Sequence, residues 1–137
     1  MSDATQPTTV TVSVAGDRLE DALAAALERI IAAAQGEEPV AERGSLSLPI
    51  RGEGFDVPTL LADLAGSLVE AIHGQGEAVS AVSIAGVLTT ERGLTGWGFA
   101  TVARGTPVRL RPFDLSAPIL VQRHGQAVEI GTTVVVG

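Results

Sequence analysis

The chain contains no cysteine and no lysine. Without thiols there is no disulfide, no thiolate metal site and no cysteine nucleophile. Without lysine, Schiff-base chemistry and the phosphate-cradling lysine of a P-loop are excluded. Tyrosine is also absent, and the aromatic complement is three Phe and one Trp. A groove for single-stranded nucleic acid stacks bases on several rings, so that function class is poorly supplied; Trp97 and Phe99 are expected in the core. No apolar run approaches the roughly 18 residues of a membrane-spanning helix. The opening MSDATQPTT has neither the basic start nor the apolar run of a secretory signal. The expectation is a soluble cytoplasmic protein with no membrane partner.

Charge of one sign is also scarce. Residues 1–91 carry four arginines against fourteen carboxylates, and residues 92–137 carry five against two. An acidic first part argues against strong direct nucleic-acid binding. The basic remainder leaves room for one local contact with a phosphate or an acidic partner.

At 137 residues the chain is long enough to bury a core as one domain. Residues 1–7 read as a flexible polar tail and 8–137 as the domain. Val10, Val12 and Val14 alternate with Thr9, Thr11 and Ser13, the period-two pattern of a strand with one buried face. Asp17 followed by Glu20 predicts an N-cap and capping box for a helix over 17–35, with Leu23, Leu27 and Ile30 on its buried face. SLSLPI (45–50) reads as an edge strand, because Pro49 has no N–H for a ladder. Asp56 ahead of Pro58 opens a second helix over 56–73, buried through Leu61, Leu64 and Leu68. Two hairpins follow, closing near Glu91–Gly93 and at His124–Gln126. The order β-α-β-α-β-β-β-β, with no evident internal repeat, predicts an α+β fold. Its two helices pack on one face of a mixed β-sheet that includes both hairpins.

Few residues point to chemistry. Asp56, Asp63 and Glu70 are spaced by seven along the second helix, so successive carboxylates stand about 10 Å apart along its axis. That helix cannot chelate a cation alone, and the plainer role is a solvated face with Asp56 as N-cap. His73 falls at a helix end and His124 at a hairpin tip, and neither belongs to a nucleophilic triad. GLTGWGFATVARG lies within an alternating strand and does not open a helix, so it is no phosphate loop. Arg104, Arg109, Arg111 and Arg123, with His124, are candidate contacts to phosphate or carboxylate; the plainer role is to balance the acidic first part.

Three stretches, VSVAGDRLEDAL, LLADLAGSLVEAI and ARGTPV…ILVQRHGQAVEI, together resemble archease, a family of small activators of the RNA ligase that joins tRNA halves. The resemblance spans most of the chain and implies an archease-like two-layer sandwich. It also implies an accessory role in tRNA splicing, with an RNA ligase or other RNA-processing protein as partner and no catalysis by the chain itself. The family's His-Thr-Ala-Asp motif falls on Gln6 to Thr9, so the metal-binding aspartate is Thr9 here. An acidic position on the second helix survives as Asp56 or Asp63. Arg123-His124 stands for the family's Tyr-His, and its C-terminal aspartate falls near Val136. This degenerate metal site implies no cofactor, or at most a weak Ca²⁺, Mg²⁺ or Mn²⁺ site through Asp56 and Asp63. The alternative expectation is a diverged, metal-free binding or regulatory module.

Overall fold

The computed structural model describes residues 8–35, 45–75, 77–107 and 111–137. The elements are β1 (Thr8–Gly16), α1 (Leu19–Gln35), β2 (Ser45–Gly54), α2 (Val57–Gln75), β3 (Glu77–Thr90), β4 (Gly93–Pro107), β5 (Phe113–His124) and β6 (Ala127–Val136). Residues 1–7, the expected tail, lie outside the described residues.

Two helices and a β-layer make the predicted α+β fold, but the strands form two sheets, β1-β6-β5 and β2-β4-β3. Every pairing in them is antiparallel, not mixed, and the two hairpins lie in different sheets. Each early strand docks beside the second strand of a different hairpin, β1 on β6 and β2 on β4. Alternation along a strand says which face is apolar and nothing about which strand lies alongside. The hairpins close where the glycines predict, with positive φ at Gly93 and Gly125. Pro49 is on β2, an edge strand, as its missing donor requires.

A repeat invisible in the sequence organises the fold. Each of the first two strands ends in a glycine, Gly16 or Gly54, and each helix begins three residues later. In both, the first helical bond reaches back across the same interval, from Ala22 N–H to the Arg18 carbonyl (3.1 Å) and from Leu60 N–H to the Asp56 carbonyl (3.0 Å). Counted from those glycines, the buried positions coincide: Ala22 with Leu60, Leu23 with Leu61, Ala26 with Leu64, Leu27 with Ala65, Ile30 with Leu68 and Ala34 with Ile72. The sheets match when β1, β6 and β5 are set against β2, β4 and β3. The unit β2-α2-β3-β4 is therefore inserted between α1 and β5 of a second unit of the same design.

The same bonds correct the start of α1. The Arg18 carbonyl takes the first helical bond, so Arg18 is the N-cap and Asp17 lies one residue too early. No capping box with Glu20 forms among the described residues. The core contains the predicted Leu23, Leu27, Ile30, Leu61, Leu64 and Leu68, together with Val82 and Ile84 of β3.

The helices also blunt the edges of the β2-β4-β3 sheet, where unpaired backbone groups would otherwise invite another strand. On β3, the Gln35 carboxamide accepts from Val79 N–H (2.7 Å) and donates to its carbonyl (3.3 Å), and Glu28 accepts from Val82 N–H (2.9 Å). On β2, Asp63 accepts from Glu53 N–H (2.7 Å) and the Ser67 hydroxyl accepts from Arg51 N–H (3.2 Å). Four helical residues rise about 6 Å and two strand residues about 6.7 Å, so an i, i+4 pair on α2 meets alternate amides of β2.

Candidate functional site

Both candidate metal ligands are engaged in the fold. Asp56 is the N-cap of α2: its Oδ1 accepts from the Thr59 hydroxyl (2.6 Å) and the Thr59 N–H (2.9 Å). These bonds, the hydroxyl first, hold its carboxyl below its ordinary pKa of 3.8. A depressed carboxylate contributes stability above its unfolded pKa and loses it as pH falls through the folded one. Asp56→Ala is therefore expected to lower the thermal midpoint at neutral pH, and the gap from the parent should narrow as the pH is taken below 3.8. A gap unchanged across that range would remove Asp56 from the capping role. Asp63 is committed to the β2 edge.

The strand pairing sets Thr9 opposite Val135 and Thr8 opposite Val136, with Thr9 exposed and Val136 buried, so the two positions face opposite sides of the sheet. Neither Thr9 nor Val136 offers a carboxylate. Among the described residues no group of three or more His, Asp or Glu side chains is placed to hold a metal ion.

The basic candidates are dispersed. Arg109 and the side chains of His73 and Arg104 lie outside the described residues. Arg111 closes the carboxyl end of α1, its N–H donating to the Ala34 carbonyl (3.1 Å) and its guanidinium to that of Ala33 (3.4 Å). Donors there satisfy carbonyls without helical partners and suit the negative end of the helix dipole. Arg123 is exposed near the end of β5, and His124 Nε2 lies 3.5 Å from Glu129 Oε2 across the hairpin. That pair is open to solvent and adds little to stability.

The unexpected feature is aromatic. Trp97 and Phe99 are not core residues; they are 37% and 48% exposed, and Phe55 is 76% exposed. Three of the four aromatic rings therefore face solvent, while Phe113 packs against the core. The cause is the opposite face of β4, where Gly96, Gly98, Ala100 and Val102 are buried. Helix α2 lies so close to the sheet that a Cβ at Gly52 would touch the Leu64 backbone. Gly96 faces Leu60 and Leu64 of α2 and Gly98 faces the β3 backbone, so small residues occupy this face and the alternation turns Trp97 and Phe99 outward. Phe99 is flanked by Pro49 and Ser83, and Trp97 by Arg51 and Gly86. The Trp97 ring fills the space that a Cβ at Gly86 would need. Leu88, 58% exposed and opposite Thr95, extends the patch. The signal was present as Trp-x-Phe alternating with Gly-x-Gly-x-Ala, since the small set marks the face under a close helix.

With this geometry in view, comparison with solved structures is informative. The chain is similar to Methanobacterium thermoautotrophicum protein 1598, whose solution structure superposes with a TM-score of 0.60. The match covers 93% of this chain and 91% of that one, at 13% sequence identity. The fold is archease-like. No family model matches the sequence, and no curated protein matches it. No helix among the described residues is long and apolar enough to cross a membrane.

Proposed function

We propose that the chain is a non-catalytic accessory protein that works by binding another protein through the outer face of the β2-β4-β3 sheet. The exposed Trp97–Phe99 pair carries this reading. Contiguous apolar surface on a folded chain marks a contact site, and tryptophan is the residue most enriched where binding energy concentrates. The neighbouring Arg51 and Glu53 pair with each other at 3.3 Å, so the patch presents no net charge to a partner.

The archease-like fold and the archease resemblance make an RNA ligase, or another RNA-processing enzyme, the first partner to test. Arg104, Arg109, Arg111, Arg123 and His124 are proposed as secondary contacts to its carboxylates or bound phosphates. The second reading is a metal-free binding or regulatory module for an unrelated partner, favoured by the uncharged Thr9 and Val136 positions. On either reading no divalent cation takes part. Calorimetry with Mg²⁺, Mn²⁺ and Ca²⁺ is expected to show no site tighter than about 1 mM, the weak end for carboxylate sites. A tight site abolished by Asp56→Asn or Asp63→Asn would restore a metal role.

Trp97 is the only tryptophan, so its emission reports the patch directly. Titration with the RNA ligase of the source organism is expected to shift that emission to the blue and raise ligation. Phe99→Ala should weaken the complex roughly tenfold or more, as loss of a central aromatic contact does, with the thermal midpoint unchanged. Binding that proceeds with Trp97 emission unaltered would overturn the assigned surface. No binding to the ligase, with binding to another protein through Trp97, would favour the second reading.

A further inference from the structure

The two units meet through their helices: α1 packs along β3, and α2 faces β5 in the equivalent way. The first junction is closed by Gln35 and Glu28, which bond to Val79 and Val82. Among the described residues the second is open, leaving a groove of about 840 Å³ lined by Ala62, Ala65, Gly66 and Val69 of α2 and by Phe113 and Leu115 of β5.

The repeat explains the groove. Counted from Gly16 and Gly54, the α1 residues Leu27, Glu28 and Ile31 correspond to Ala65, Gly66 and Val69 of α2. Each is replaced by something smaller, and the edge-capping glutamate becomes a glycine. A Cβ at Gly66 would find nothing within 4 Å.

The strand side corresponds as well. Gly137 N–H donates to the Pro112 carbonyl. By the alternation of an antiparallel ladder, Phe113 and Leu115 then turn their backbone groups away from β6. These two pair with Val136 and Val134, which lie as far past their hairpin turn as Val102 and Ala100 lie past theirs. Val102 and Ala100 are the partners of Val79 and Val82, the residues that α1 satisfies. The two positions capped on β3 thus recur on β5, aimed at this groove.

We propose that the α2–β5 groove binds an extended peptide segment of a partner protein, added as a further strand on β5. The closed junction shows what the open one would accept. There a carboxamide both accepts from and donates to Val79, and an oxygen accepts from Val82. An extended backbone offers such amide groups at every second residue, about 6.7 Å apart, which matches the separation of Phe113 and Leu115. An apolar side chain of the segment fills the volume given up at Ala65 and Val69. Glu70, Arg111 and Asp114 also line the groove, and these mixed charges suit a peptide better than a polyanion. Such strand addition gains affinity from main-chain bonds and selectivity from alternate side-chain pockets.

The test is selection of binders to the full chain from a random linear peptide library, followed by amide hydrogen exchange. Peptides of alternating apolar pattern are expected to be enriched and to slow exchange at Phe113 and Leu115. Gly66→Glu, which restores the capping residue of α1, should weaken them roughly tenfold or more, whereas Gly66→Ala should leave affinity within about twofold. If Gly66→Glu does not fold, Ala65→Leu, which fills the groove without charge, should show the same loss. Trp97→Ala should leave this binding unaltered, which separates it from the sheet-face contact proposed above. The proposal is overturned if no linear peptide is enriched. It is equally overturned if the enriched peptides bind Gly66→Glu as well as the parent, or protect amides away from β5.

Discussion

Leu64→Ala is expected to lower the unfolding free energy by about 4–5 kcal/mol, the upper part of the range for buried leucine truncations. Leu64 is fully buried, and its side chain reaches over Gly52 and Gly96 of the underlying sheet. The cost of such a truncation depends on how far the surroundings can collapse into the space left behind. Two glycines offer no side chain to move in, and the backbones of β2 and β4 are fixed by their ladder. Leu23→Ala on α1 is the comparison, also fully buried and expected to cost about 2–4 kcal/mol. Urea unfolding followed by circular dichroism measures both, with an unchanged denaturant slope showing that stability alone has moved. A loss below about 1 kcal/mol at Leu64, well under that range, would mean that α2 does not present this face to the sheet.

The second large effect comes from adding one methyl group. Gly98→Ala is expected to destabilise by about 3 kcal/mol, the upper range for overpacking a filled site. Its Cβ would stand against the Ser83 carbonyl and 2.8 Å from Ile84 Cα. There β3 departs from regular register between Ile84 and Gly86. Backbone of a central hairpin cannot yield as a flexible side chain can. Gly66→Ala has the opposite sign, because the site is open and helical. It should gain about 0.8–1 kcal/mol from helix propensity. Thermal or denaturant unfolding of the two variants side by side decides the matter. A neutral Gly98→Ala would place β3 farther from β4 than the pairing implies.

Particular residues show how far the sequence could be read. The apolar stripe through Leu61, Leu64 and Leu68 predicted the buried face of α2, because helical periodicity is a local property. Pro49 predicted an edge strand, because a missing N–H acts wherever the chain goes. Asp56 was legible as a cap for the same reason, with Pro58 two residues on. Asp17 misled: the strand-to-helix crossing at Gly16 places the first helical carbonyl at Arg18. The Trp97–Phe99 patch misled in a different way, since ring size suggests burial while α2 and the β3 backbone leave the inner face of β4 room only for glycine at positions 96 and 98.

The sequence by itself determined the elements, their order, both hairpin turns and the faces of both helices. All of these follow from spacing along the chain and from the chemistry of single residues. Only the tertiary structure decided that the strands divide into two antiparallel sheets, that two units repeat with one inserted in the other, and that the aromatics face outward. It alone showed that Asp63 caps a strand edge and that Gly66 leaves a groove beside β5. The physical reason is that strand partnership and helix-to-sheet distance are set by how distant surfaces fit together. A residue's pattern fixes which side it favours, and the neighbour that side meets is settled by packing.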